Sequence, residues 1–429
     1  MSTSNLYEPR RAWTMTVLLA LFMLINFIDK VGIGLVAVPM MAELNLSPTE
    51  FGFIAGSFFW FFAISGVAGG FVANRYSAKW ILMILVIVWS VAQLPIILSS
   101  SVAMIMVSRI VLGIGEGPAS PIAFHACYKW FPDAKRNLPI SVINQGSALG
   151  LLIAGVAVPL ITARWGWRAN FVVMTAIGLV WGIIWLIFGA EGKITSDRAA
   201  ALDSTGGDLG GRRLPYSRLL KDSTVWGVFA MHFMAFWGLA LTLTWLPAYL
   251  QKGLGYDAAT SGKLFALVVL INAPVNLGLS WWSQRMLSRG ATQRAARALL
   301  CSFALSLSGA LFIALMFLPL QNIQKVILLA VASGLTPVIY SLGAAMMGAV
   351  SPDSQRGAML SIENSIASLA GVFAPVVMGY LIQNSTLSAA LGYEQGFAVS
   401  GCLLLLSGVV GFIWVNPEKS IQRLAKNGL

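Results

Sequence analysis

Arg109 and Glu116 lie in the stretch Ser108–Pro121, SRIVLGIGEGPASP, in the middle of a long apolar run. A charge in hydrocarbon costs roughly 2.5–3.5 kcal/mol even on the lenient insertion scale, so such residues are rare and concentrate where they carry function. Seven residues apart is nearly two helical turns, which puts both on one face. Gly113, Gly115, Gly117 and Ala119 let a helix or ligand approach the backbone, and Pro118 and Pro121 loosen the ladder beyond them. This composition suits the wall of a polar cavity, not a helix bathed in lipid. Asp29, Lys30 and Glu363 are the other charges well inside apolar runs. A carboxyl in a low-dielectric site has its neutral form favoured, so it can exchange a proton near neutral pH, while a neighbouring cation biases it back towards the charged form. That chemistry makes Asp29 and Glu116 candidate proton-coupling groups. Lys30 is the first candidate to hold an anion. Arg109 is a second cation, expected to organise Glu116 more than to touch a ligand. The alternative is purely structural: an Arg109–Glu116 pair that locks helices, and a Lys30 bridge to Asp29 or to a neighbouring helix.

The elements that position these residues follow from composition. Of 429 residues 58% are hydrophobic and 10% charged, which excludes an ordinary soluble domain and points to an all-α polytopic membrane protein. Twelve apolar stretches of spanning length run from Trp13–Val38 to Leu391–Val415. The first is too long for a signal peptide and is read as a span. With twelve spans, 21 Lys and Arg fall on the side of the termini and five on the other, and only Lys30 and Arg109 remain inside. The positive-inside rule then puts both termini in the cytoplasm, and short loops suit a cell (inner) membrane. The same bias accounts for the net charge of +12 without a nucleic-acid partner. Cys127, Cys301 and Cys402 sit in or beside apolar runs and read as small buried hydrophobes. There is no metal-spaced His/Cys cluster, no phosphate loop and no nucleophile–base pair, so neither a cofactor nor an enzyme is expected.

The polar loop Glu191–Ser223, with its GGDLGG, divides the chain into an N-terminal six-helix half (1–190), a cytoplasmic central loop (191–223) and a C-terminal six-helix half (224–429). The halves repeat. Pro132-Asp133-x-x-Arg136 followed by Ser141 and Asn144 recurs as Pro352-Asp353-x-x-Arg356 followed by Ser361 and Asn364. Two parallel halves joined by a cytoplasmic loop is the architecture of transporters whose site lies at the membrane midplane.

On these features the chain resembles the major facilitator superfamily. Gly70-Phe-Val-Ala-Asn74-Arg75-Tyr-Ser77-Ala78-Lys79 is similar to its loop after span two, with Ser77 where glycine is usual and Ala78 where a basic residue is usual. The closer resemblance is to the anion:cation symporter family of sugar-acid permeases and vesicular glutamate and sialic-acid transporters. It rests on Asn26-Phe-Ile-Asp29-Lys30, on Arg109-x3-Gly113-x2-Glu116-Gly117-x3-Pro121, and on Trp130-Phe131-Pro132-x2-Lys135-Arg136 with Gly166-Trp167-Arg168-x2-Phe171. The resemblance implies a proton-coupled importer of a small organic anion, a sugar acid or other monocarboxylate, working as a monomer by alternating access. Asp29 and Glu116 match the family's acidic positions. Lys30 stands where many members have Arg, which keeps the charge and loses the planar fork. Hydrogen-bonding groups for substrate are implied at Gln145 and Asn364, and Asn144 is the alternative to Gln145 because it is the repeat's partner of Asn364. Tyr340 is a further candidate contact.

Some readings stay open on sequence. Glu363 is a second proton site or, as favoured, a partner of Arg356, about two turns earlier. His232 is a titrating group or, more commonly for such a residue, a core histidine bonded to a backbone carbonyl. Phe58-Phe-Trp60-Phe-Phe62 packs, faces lipid, or lines the site, in which case aromatic acids become substrates. A proton-coupled exporter of drugs or metabolites shares the fold, but the fifth span lacks the adjacent Gly-Pro common in exporters. A non-transporting sensor would want an output segment that neither the loop nor the tail supplies.

Overall fold

The structure, a computed structural model, describes residues 8–73, 75–132, 135–192, 214–352 and 355–426. Asn74, Asp133, Asp353, the central-loop residues 193–213 and the tail 427–429 lie outside the described residues.

Among the described residues twelve helices are long and apolar enough to cross a membrane. They are α1 (Pro9–Leu35), α2 (Pro48–Ala73), α3 (Ala78–Leu98), α4 (Val102–Tyr128), α5 (Leu138–Trp165), α6 (Arg168–Phe188), α7 (Ser223–Thr244), α8 (Ala258–Ser288), α9 (Arg294–Phe317), α10 (Asn322–Val350), α11 (Arg356–Gln383) and α12 (Ala389–Trp414). The chain is the all-α polytopic membrane protein that its hydropathy predicts. Large apolar side chains such as Leu98, Ile187, Leu277 and Phe317 stand exposed on the spans, where lipid takes the place of water. Cys127 and Cys301 are buried as expected, whereas Cys402 is exposed on α12.

Local sequence sets the starts and breaks. Ser47 caps α2 with a reciprocal box: its hydroxyl accepts from the Glu50 amide at 3.2 Å, and the Glu50 carboxylate accepts from the Ser47 amide at 2.8 Å. Within α4, helical pieces Val102–Glu116 and Ala119–Tyr128 meet at Gly117-Pro118, because proline cannot donate to the ladder. Pro337 breaks α10 in the same way. The seventh apolar stretch, expected to reach Leu250, stops as a helix at Thr244, and a new short turn begins at Leu246–Ala248 around Pro247.

The chain forms two compact units. The first comprises residues 1–197 with 243–266. Its core holds Phe22 of α1 against Trp89 and Trp181, at ring distances of 4.8 and 5.1 Å. The Trp181 indole donates to the Leu18 carbonyl at 2.9 Å. Helix α5 lies directly on α1, since a Cβ at Gly146 or Gly150 would come within 2.1 or 2.3 Å of the Ala20 or Leu24 carbonyl oxygen. The second unit comprises 198–242 with 267–429. There α9 and α12 meet at Gly309 and Gly401, and Phe312 stacks on Phe397 at 5.9 Å.

The internal repeat has a shared structural use. Arg136 donates from Nε to the Phe131 carbonyl at 3.0 Å and from Nη2 to the Tyr128 carbonyl at 3.1 Å. Arg356 donates from Nε to the Gly348 carbonyl at 3.1 Å. Each arginine, at the start of one span, satisfies a carbonyl left open at the end of the span before it.

Carboxylates clasp both ends of the first unit. At one end Glu43 accepts from the Trp167 indole at 2.6 Å and pairs with Arg168, which also donates to the Ser100 hydroxyl at 3.1 Å. The hydrogen bond from Arg168 is the main reason the Glu43 carboxyl is held below its ordinary range. At the other end Glu191 pairs with Lys129 and accepts from the Ser77 hydroxyl at 2.6 Å and the Lys79 amide at 3.1 Å. Ser77, in the place of the usual glycine, therefore joins the loop to the end of α6. Partial burial pushes the Glu191 carboxyl up, but the bonds from Lys129, Ser77 and Lys79 together outweigh it and hold it below its ordinary value of 4.5. A depressed carboxyl contributes stability that is complete above its unfolded pKa and is lost as pH falls through the folded one. Glu191→Gln is accordingly expected to lower stability by about 1–2 kcal/mol at neutral pH. It should also flatten the acid limb of the detergent-solubilised protein's thermal-unfolding profile.

Candidate functional site

Four of the residues singled out by sequence meet inside the first unit. Asp29 and Lys30 come from the last two turns of α1, Arg109 and Glu116 from the first piece of α4. Asp29, Arg109 and Glu116 are at most 2% exposed, and the Lys30 side chain keeps 10%. Two carboxylates and two cations give a formally neutral cluster, which is how buried charge is tolerated.

The pairing inside the cluster differs from the expected one. The cation within 4 Å of Glu116 is Lys30, with Nζ at 3.7 Å from Oε2, and not Arg109. Lys30 also donates to Asn26 Oδ1, one turn back on α1, at 2.9 Å. Its ammonium lies 4.6 Å from the centre of the Phe27 ring and 5.1 Å from that of Phe62. Arg109 instead lays its guanidinium over the Phe58 ring at 4.9 Å, leaving Nε and Nη1 without a protein acceptor. Asp29 is within electrostatic reach of Glu116, Arg109, Lys30 and Gln93, and its Oδ1 has no partner. Both Glu116 oxygens likewise lack a hydrogen-bond donor. An Arg109–Glu116 helix lock is therefore not what the side chains make. The helical-face rule brought the two onto one side of α4 but could not show that α1 supplies the nearer cation.

Backbone packing sets this geometry. Gly113, between Arg109 and Glu116, lies against α2 so closely that a Cβ there would stand 1.8 Å from the Phe58 carbonyl oxygen. Only glycine lets Phe58 reach the Arg109 guanidinium. Gly113→Ala must push α2 and α4 apart, with an expected cost of about 1–3 kcal/mol, read from thermal unfolding in detergent.

The other candidates are placed as follows. Gln145 and Asn144 are both exposed on α5, outside the charge cluster, so geometry does not choose between them. Asn364 is exposed on α11 of the second unit. Tyr340 of α10 is half-buried, and its ring meets the His232 ring edge-on at 4.7 Å. Glu363 is not placed by its Arg356 neighbour as favoured from sequence. Its Oε1 lies 3.0 Å from His232 Nδ1, and both residues are buried. His232 correspondingly pairs with a carboxyl and not with a backbone carbonyl. Sequence reading also gave no role to Asn26 or Gln93. The i,i+4 spacing of Asn26 and Lys30, and an isolated buried Gln in an apolar span, were the available signals.

Comparison with known proteins bears on what such a cluster is for. The family description Major Facilitator Superfamily matches residues 19–307 and 291–428. A probable sulfoacetate transporter, SauU, of Cupriavidus necator is 30% identical, over 94% of this chain and 94% of its own length. A hexuronate transporter of Bacillus subtilis is 27% identical, over 91% of this chain and 93% of its own. Among solved structures, a bacterial homolog of the human lysosomal transporter Spinster superposes with a TM-score of 0.79 at 18% identity, covering 97% of this chain and 98% of that one. These relatives are membrane carriers and not enzymes. Twelve spans, a neutral cluster of buried charge between α1 and α4, and a family match along nearly the whole length lead to one assignment: the chain belongs to the Major Facilitator Superfamily, and within it resembles the anion:cation symporters.

Proposed function

We propose that the chain is a secondary transporter that brings a small organic anion, a sugar acid or other small monocarboxylate, into the cell together with protons by alternating access. The observation that carries this reading is the Lys30–Glu116 contact at 3.7 Å in a site with 0% exposure of the glutamate. In the resting pair the Lys30 ammonium favours an ionised Glu116. An anion arriving at Lys30 competes for that charge. Glu116, losing its counter-ion in a low-dielectric site, then takes up a proton. Loading the anion thus loads a proton, and release of either on the far side favours release of the other. Asp29, sharing electrostatic contact with the same groups, is the second proton-coupling carboxylate, and Arg109 keeps the site electrically balanced in both states. Gln145, Asn364 and Tyr340 are proposed to meet the rest of the substrate through hydrogen bonds. Relatives named for sulfoacetate and hexuronate support an anion as cargo. The lysine–arginine bias supports cytoplasmic termini in a cell (inner) membrane, and a single chain suffices for the mechanism.

The test is uptake by proteoliposomes offered labelled hexuronates, hexonates, sulfoacetate and aromatic monocarboxylates under an inward proton gradient. Accumulation of one acid that vanishes when the gradient is collapsed is the expected result. Gradient-driven extrusion of neutral or cationic compounds with no uptake of any acid would instead assign an exporter.

A further inference from the structure

The second unit buries a titratable pair that the proposed transport mechanism does not use. His232 on α7 and Glu363 on α11 are 5% and 2% exposed, and His232 Nδ1 lies 3.0 Å from Glu363 Oε1. One proton occupies that contact whichever group holds it, because an ionised carboxylate only accepts. The outer atoms are open: His232 Nε2, Glu363 Oε2 and the Tyr340 hydroxyl are buried and have no hydrogen-bond partner. Tyr340 and Gly343, one turn apart on α10, cover the pair. The tyrosine ring meets the imidazole edge-on, and a Cβ at Gly343 would lie 3.3 Å from Glu363 Oε1. A structural histidine in a core normally uses both nitrogens; this one leaves Nε2 unmatched beside two other buried polar atoms without partners.

The charged groups on the surrounding helices have contacts of their own. Arg356, earlier on α11, donates to the Gly348 carbonyl, and Arg297 of α9 donates to the Ala345 carbonyl at 3.3 Å and to Gln293. Glu418 of the C-terminal helix Pro417–Lys426, which also carries Lys419 and Arg423, accepts from the Arg294 amide. Glu394 of α12 binds Lys325 at the start of α10. Among the described residues, Tyr340 is the titratable group whose ring meets the pair.

We infer that His232 and Glu363 form a second proton-binding site, in the C-terminal unit, that takes up and releases one proton at His232 Nε2. Loaded, the site is an imidazolium beside a carboxylate and carries no net charge. Unloaded, it is a neutral imidazole donating from Nδ1 to the same carboxylate, with a net charge of −1. An uncompensated charge in a low-dielectric interior is strongly disfavoured, so the proton stays until water or a neighbouring charge stabilises the unloaded form. Glu363 sets the proton affinity of the imidazole, and the proton itself comes from and returns to solution. If the chain couples anions to protons as proposed above, this pair supplies a proton site in the C-terminal unit, separate from Asp29 and Glu116.

The chain has two histidines, so ¹⁵N-imidazole NMR of the full-length protein in lipid nanodiscs can observe His232 directly, with His125→Asn assigning the other signal. The expected result is that Nδ1 stays protonated while Nε2 gains a proton at a single midpoint as pH is lowered. Glu363→Gln is expected to lower that midpoint by about one pH unit or more, since it removes the anion that favours imidazolium. On the unsubstituted chain, ¹⁵N–¹³C dipolar recoupling between Nδ1 and the Glu363 carboxyl carbon gives the pairing without any variant. An Nε2 that keeps one protonation state throughout, a midpoint that Glu363→Gln does not move, or an absent dipolar coupling overturns the proposal. No substrate enters the measurement, so these outcomes are independent of whether the anion-transport reading holds.

Discussion

Lys30→Ala is expected to weaken half-saturation by the transported anion about 100-fold or more, and to abolish proton-driven accumulation at the same time. Both effects come from one atom. Lys30 Nζ is the cation within 4 Å of Glu116 and the one charge of the cluster whose side chain keeps 10% exposure, so it is the group an entering anion can reach. Removing the cation from a buried lysine–anion pair costs about 2–5 kcal/mol, and each 1.4 kcal/mol is tenfold in affinity. The second effect follows because Glu116, without Lys30, is left to hold its proton permanently in a buried site. Lys30→Arg keeps the charge and the resemblance to relatives with arginine at this position. It should retain accumulation while altering which acids are preferred, because a planar fork replaces a point charge. Concentration dependence of counterflow for the three proteins separates these outcomes. Unchanged affinity in Lys30→Ala would assign the ammonium to helix packing alone.

Glu116→Gln separates binding from coupling. The substitution keeps the shape and leaves Lys30 free of its acidic partner, so anion exchange across the membrane should continue. What is lost is the proton. With one proton per monovalent anion, an imposed gradient of about one pH unit supports roughly tenfold accumulation in the wild-type protein. In Glu116→Gln the internal anion concentration should rise only to the external one, and the initial rate should no longer depend on the gradient. Retained tenfold accumulation would transfer the coupling role to Asp29.

Much of this architecture was legible because hydrocarbon imposes a coarse rule: about twenty apolar residues per span, with basic residues left on one side. The Lys and Arg distribution made twelve spans self-consistent before any contact was known. Charges in such runs are conspicuous, so Asp29, Lys30, Arg109 and Glu116 could be singled out by type alone. Their pairing could not. Whether Lys30 or Arg109 meets Glu116 depends on how α1 is rotated against α4, which spacing along either helix does not encode, whereas close glycine contacts such as Gly113 on the Phe58 carbonyl and Gly146 on the Ala20 carbonyl seat α4 on α2 and α5 on α1. The same limit hid the second pair. His232 and Glu363 are 131 residues apart, and local spacing favoured Arg356 for the glutamate, whereas the fold presents a histidine from α7. Ser77 reads as a departure from the superfamily loop, yet its hydroxyl is one of the groups that bind Glu191.

The most direct test of the central claim, that anion and proton move together through the Lys30–Glu116 site, is a pH indicator sealed inside proteoliposomes that are then given the anion. The account predicts that external anion acidifies the interior of vesicles carrying the wild-type protein and that Glu116→Gln vesicles, while still exchanging labelled anion, show no acidification. Anion entry without acidification in the wild type, or equal acidification in Glu116→Gln, would contradict it.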